Sequence, residues 1–241
     1  MSGNHRSNLP HRLLWIDVET TGLNPASDLL LEAEMRVTDL QAKQVKTSLH
    51  TVIAPRRTHT DGPSAWAQRT HRDNRLLEES RTGLKQASAQ RMFAAWLRRQ
   101  TKQAVLHPAG SSVHFDTKWL DHTMPGLLEN TSHQHMDVSS LRILLDTIRP
   151  ALAHRIRERI PATDHRTSHC LDRDIAEYQM MLDGLRAAGG GCLQVAEDLR
   201  GSEVHGFEAE HPFDKPSRDS EAEMPQGGHY PSGDLWNGGR L

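Results

Sequence analysis

Residues 12–23, RLLWIDVETTGL, constrain this chain more than any other stretch. Leu13, Leu14, Trp15 and Ile16 form an apolar run too short for a helix and closed by turn residues, which predicts a buried strand. Asp17 and Glu19 follow at once. Strand residues two apart point to the same side, so the two carboxylates stand together at the strand's end with apolar neighbours behind them. Two anions held that close require a cation. Carboxylate oxygens suit Mg2+ or Mn2+ better than zinc, and nothing nearby in the sequence offers Cys or several His at zinc spacing. The alternative, on these residues alone, is a pair of solvated acids ahead of a Thr-Thr-Gly turn.

The chain has 241 residues, enough for one sizeable core, but only 36% are hydrophobic and the mean hydropathy is -0.66. One domain with an unpacked segment is therefore expected. The segment is placed at residues 191–241, which are rich in Glu, Asp, Gly, Pro, His and Ser without periodicity and read as a disordered tail. Residues 1–11 read as a flexible, polar N-terminus without the apolar centre of a secretory signal, and residues 12–190 as the folded domain. A formal charge of -2 with 16 His counted neutral excludes a polycation that coats nucleic acid nonspecifically. Cys170 and Cys192 are too far apart for a C-x-x-C motif and read as free thiols in a reducing compartment. No window approaches the ~20 apolar residues of a membrane span. A soluble, cytoplasmic protein with no membrane partner is the expectation.

After the first strand, Gly22, Asn24 and Pro25 predict a turn and residues 29–39 a second strand. Glu34 and Arg36 share one of its faces, which predicts a half-exposed strand rather than a central one. Residues 45–54 alternate and end at Pro55, predicting a third strand in an antiparallel meander. Helical pieces are expected over 66–80, an amphipathic helix over 84–103 with Arg91, Arg98, Arg99 and Lys102 on a solvated outer face, and a short strand at 104–106. A helix starts at Asp116, another follows Asp137 as its N-cap, residues 150–168 read as basic and irregular, and a last helix spans 172–188. His169 then lies in a loop and Asp174 near a helix start.

Asp17, Glu19, Asp116, His169 and Asp174 give the order D-x-E, D, H-x4-D. WIDVETTGLNP, WAQRTH at residues 66–71, MPGLLE and MDVSSLR at residues 136–142 accompany them. This set resembles the oligoribonucleases, 3'-to-5' exonucleases of the ribonuclease H-like fold, over residues 13–185. WAQRTH and MDVSSLR carry the specificity of the likeness, since the other motifs fit any proofreading-type exonuclease.

The resemblance implies an α/β, ribonuclease H-like domain with a five-stranded mixed sheet flanked by helices, acting as a homodimer on short single-stranded RNA. It implies that Asp17, Glu19, Asp116 and Asp174 hold two Mg2+ or Mn2+ ions and that His169 is the general base. It further implies Leu23, Trp66 and His71 at the bases and sugar, and Ser112 and Ser139 at the 5' phosphate. Gln134 stands where the family carries Arg in that phosphate cap. Two alternatives accompany this reading: a related DNA or longer-RNA exonuclease, and a catalytically weakened nucleic-acid-binding relative whose second strand and cap are eroded.

Overall fold

The computed structural model describes residues 9–55 and 64–189. The expected flexible N-terminus, 1–11, lies mostly outside the described residues and the expected tail, 191–241, wholly outside them; the chain already pairs from His11 onward. Strands β1 (His11–Thr20), β2 (Leu30–Thr38) and β3 (Val45–Ala54) form the antiparallel meander. Strand β5 (Val105–Gly110) runs parallel to β1 on its other side, where Gly110 allows close approach: a Cβ there would meet the Ile16 carbonyl oxygen at 2.9 Å.

The described sheet has six strands, not five, in the order β4-β3-β2-β1-β5-β6. Its edges are β4 (Leu84–Lys85) and β6 (Met136–Asp137), each two residues long. A strand that short has no periodicity to read. Its pairing is set by neighbours distant in sequence, Ile53 and Ala54 for β4 and Ala109 and Gly110 for β6.

Period-2 alternation gives β1 two different faces. Leu14, Ile16 and Val18 join Ala33, Met35, Val37, Phe93, Trp96 and Trp119 in a core covered by α3 (Gln86–Gln100) and α4 (His114–Thr123). Leu13 and Trp15 point the other way, into a second core with Val138, Leu145, Ile156, Leu171 and Tyr178. That core is made by α5 (Val138–Ile148), α6 (Pro150–Arg159) and α7 (Thr167–Gly189). Asp17 and Glu19 continue the second face, so the carboxylates begin where the apolar filling stops. Before α3 come the short helices α1 (Ala65–Asp73) and α2 (Leu76–Glu79). Among the described residues no helix is long and apolar enough to cross a membrane.

Three expectations need correction. Strand β2 is central and buried, with only Arg36 of intermediate exposure. Its charged face lies under the start of α7, where Glu32, Glu34 and Arg36 meet Arg166, Thr167 and Asp172. Residues 150–159 are helical rather than irregular. Pro150 suits the first helical turn, but Ala153 and Ile156 are the helix's only buried residues, too narrow a stripe to read as periodic. Helix α7 begins at Thr167, which puts His169 in its first turn instead of a loop and Asp174 in its second turn. Its start is held from outside the segment: the Thr167 backbone N–H donates to the Glu32 carboxylate at 3.1 Å. No local sequence signal records a cap supplied by another strand.

Candidate active site

Three elements converge on the end of β1. Asp17 and Glu19 come from β1, Asp116 from the first turn of α4, and Asp174 from α7. Asp116 Oδ1 accepts a hydrogen bond from the Val18 backbone N–H at 2.9 Å, which fixes α4 against the strand between the two other acids. Both oxygens of Asp174 are held by Ser111, one by its backbone N–H at 2.6 Å and one by its hydroxyl at 2.7 Å. Arg142 donates to the same Ser111 hydroxyl at 2.6 Å and is itself clamped by Glu177 at 2.6 and 2.7 Å. Ser111, Arg142 and Glu177 thus position Asp174, and none was singled out for that role by its sequence pattern.

Burial raises the Asp17 carboxyl well above its ordinary range, and repulsion from Glu19, Asp116 and Asp174 adds to the effect. Burial likewise raises Glu19, Asp116 and Asp174, with neighbouring carboxylates contributing to Glu19 and Asp116. The Asp17 Oδ2 atom is buried without a hydrogen-bond partner among the described residues. Four hard-oxygen donors that repel one another, one of them with an unpartnered oxygen, fit a divalent cation.

His169 is an exposed side chain whose Nδ1 meets Asp164 Oδ1 at 2.8 Å. Leu23 and Trp66 are exposed large apolar residues, and the Trp66 ring packs edge-on against His165 with centroids 4.9 Å apart. Ser112 and Ser139 share a hydrogen bond of 3.0 Å between their hydroxyls, and Asp137 caps α5 by accepting from the Ser139 N–H at 2.8 Å. His71, expected at the bases and sugar, is fully buried; its Nε2 donates to the Thr20 carbonyl at 3.0 Å, which anchors α1 to the end of β1, and its ring meets that of Trp66 edge-on with centroids 5.9 Å apart. No zinc-type donors lie near the acids in sequence, but folding brings Cys170 and His165 to Glu19 from more than 140 residues away. His165 was one of 16 His, and its left-handed backbone, φ 58°, leaves no pattern in the sequence.

No family model matches the chain. Among solved structures, the moderately thermophilic exonuclease I of Methylocaldum szegediense aligns with a TM-score of 0.52 at 19% identity, over 81% of this chain and 48% of that one. The chain therefore spans about half of that protein, and the likeness defines the fold as ribonuclease H-like. The oligoribonuclease of Nitrosomonas eutropha is 31% identical over 144 residues, covering 59% of this chain and 80% of its own length. That of Alkalilimnicola ehrlichii is 27% identical over 189 residues, covering 76% and 96%. The chain belongs to the oligoribonuclease family.

Proposed function

We propose that this protein is a cytoplasmic, metal-dependent 3'-to-5' exoribonuclease that degrades very short single-stranded RNA to mononucleotides. The observation that carries the reading is the meeting of four carboxylates from three elements, Glu19, Asp116 and Asp174 buried and Asp17 partly so, with the buried Asp17 Oδ2 left without a partner. Asp17, Glu19, Asp116 and Asp174 would hold two Mg2+ or Mn2+ ions, which when bound orient a water and stabilise the attacking and leaving oxygens at the terminal phosphate. His169 takes the proton from that water. Its Nδ1 is engaged by Asp164, which leaves Nε2 of this exposed side chain as the proton acceptor.

Leu23 and Trp66 supply the apolar surfaces against which bases stack, and their exposure supports that role. Ser112 and Ser139 offer hydroxyls to the 5' phosphate. We further propose a homodimer built on α5, where Ile143, Leu144 and Ile148 leave an apolar stripe exposed. Tests use a length ladder of RNA and DNA with Mg2+, with Mn2+ and with chelator. Fastest cleavage of the shortest RNA supports the reading, whereas preference for DNA or long RNA replaces it with the related-exonuclease alternative.

His169→Ala should lower kcat by roughly 10²- to 10⁴-fold, the usual contribution of a general base, with metal affinity by calorimetry unchanged. A loss of affinity would instead make His169 a ligand. Gln134 is exposed and carries no charge toward a phosphate. A charge-assisted hydrogen bond contributes about 1.5–3 kcal/mol against roughly 0.5–1.5 for a neutral one. Gln134→Arg should therefore lower KM for 5'-phosphorylated dinucleotides and leave 5'-hydroxyl ones unchanged. Equal KM for both substrates in both proteins would place the phosphate elsewhere.

A further inference from the structure

Cys170 follows His169 on α7, and its sulfur approaches Glu19 Oε1 at 3.6 Å. One ring nitrogen of His165 lies within 4.8 Å of both ligand atoms. The three donors differ in kind: a sulfur, an imidazole nitrogen and a carboxylate oxygen. A mixed set of this sort is characteristic of zinc, whereas Mg2+ takes oxygen donors and ignores a thiol. The spacing also fits. Zinc bonds of about 2.3 Å to sulfur and 2.0 Å to oxygen, at a tetrahedral angle, put those two atoms roughly 3.5 Å apart.

The surroundings hold the donors in place. The edge of Trp66 packs on the His165 ring at a centroid distance of 4.9 Å, and Thr163 Oγ1 lies 3.1 Å from the Cys170 sulfur. Burial lowers the proton affinity of His165, and Arg173 adds to that, so its imidazole is available as a neutral ligand.

We propose that Glu19, His165 and Cys170 form a binding site for zinc or a similarly thiophilic divalent ion beside the four-carboxylate cluster, and that its occupation inhibits the enzyme by withdrawing Glu19 from that cluster. Binding forms a metal–sulfur bond and releases the thiol proton to solvent. Only the inhibition rests on the proposed exonuclease reading; the binding stands apart from it.

The test uses the full chain in excess Mg2+, with Co2+ as the spectroscopic probe and Zn2+ as its competitor. The parent should develop a near-ultraviolet thiolate-to-cobalt charge-transfer band that Zn2+ abolishes. Cys170→Ala and Cys170→Ser should lack the band, and His165→Gln should need more cobalt to reach it. Half-inhibition of hydrolysis by Zn2+, relative to each protein's own rate in Mg2+, should move up by at least about 10- to 100-fold in the Cys170 variants, since loss of a ligand costs no less than loss of a supporting contact. Absence of the band in the parent, its persistence without Cys170, or equal inhibition in parent and variants would overturn the proposal. A parent that binds cobalt through sulfur but hydrolyses no RNA would overturn the functional reading and leave the binding site standing.

Discussion

Asp17→Asn is expected to lower metal-supported hydrolysis by about 10³-fold or more and to raise the melting temperature of the metal-free protein. The first effect follows from losing a ligand to ions that contribute several kcal/mol to transition-state stabilisation, where each 1.36 kcal/mol is worth about tenfold. The second follows from the repulsion within the site. Burial and the neighbouring Glu19, Asp116 and Asp174 raise the folded-state pKa of Asp17. An acid whose pKa is higher folded than unfolded opposes folding once it is ionised, so its destabilisation is present at neutral pH and is relieved as pH falls toward the raised value. The amide removes the charge, keeps the shape and can donate to an adjacent carboxylate. Divalent cation should reverse the ranking. An ion at about 100 times its Kd stabilises the folded parent by roughly 2.7 kcal/mol, an effect the variant largely loses. Melting curves in chelator and in excess Mg2+ test both points. A variant less stable than the parent in chelator would show that the four acids do not repel one another as argued.

The first strand, its D-x-E pair, the Asp137 cap and the periodicity of the last helix are legible because each depends on residues close in sequence. What was illegible depends on partners far away. Glu34 and Arg36 look like flaws in a strand until Arg36 is seen bound to Glu34 and to Asp172, 136 positions on. With those charges paired and β2 buried, the eroded-strand argument for a weakened relative loses its basis. The early start of α7 depends on Glu32, 135 residues from Thr167. The same distance conceals the meeting of Glu19 with Cys170, 151 residues apart. His71 is the converse case. A motif fixes its place in the chain, but its burial is set by how α1 lies on β1. That Asp116 and Asp174 join the first pair follows from the resemblance and not from any spacing, since each alone reads as an ordinary acid in an early helical turn.

Arg166→Ala is expected to destabilise the fold by about 3–5 kcal/mol, the usual result of stripping the partner from a buried charge. Glu32 is 1% exposed and receives hydrogen bonds from Arg166 Nη2 at 2.8 Å, His50 Nε2 at 2.7 Å and the Thr167 N–H at 3.1 Å. Arg166 also donates to Glu79 at 2.8 Å and to the Asn74 carbonyl at 3.3 Å, so one guanidinium joins β2, the α1–α2 region and the start of α7. Burial alone would raise the Glu32 carboxyl, but the bonds from His50, Arg166 and Thr167 outweigh it and bring the pKa from 4.5 to about 2. That lowering corresponds to about 3 kcal/mol. Because the folded value is depressed, the contribution is complete above the unfolded pKa of 4.5 and fades as pH falls toward 2. His50, raised chiefly by its bond to Glu32, acts in the opposite sense: its contribution is present at low pH and is lost as pH climbs through its folded value. Denaturant titrations across pH should show an acid limb in the parent between about 4.5 and 2 that is much reduced in Arg166→Ala. Hydrolysis should fall as well, because α7 carries His169 and Asp174. The paired replacement Glu32→Leu with Arg166→Met should recover most of the stability, since an apolar pair of similar volume needs no compensation. If the single change costs under about 1 kcal/mol, or the double variant is no better than Arg166→Ala, the network does not hold α7 on the sheet, and the position of the two site residues must come from the Leu171 and Tyr178 packing alone.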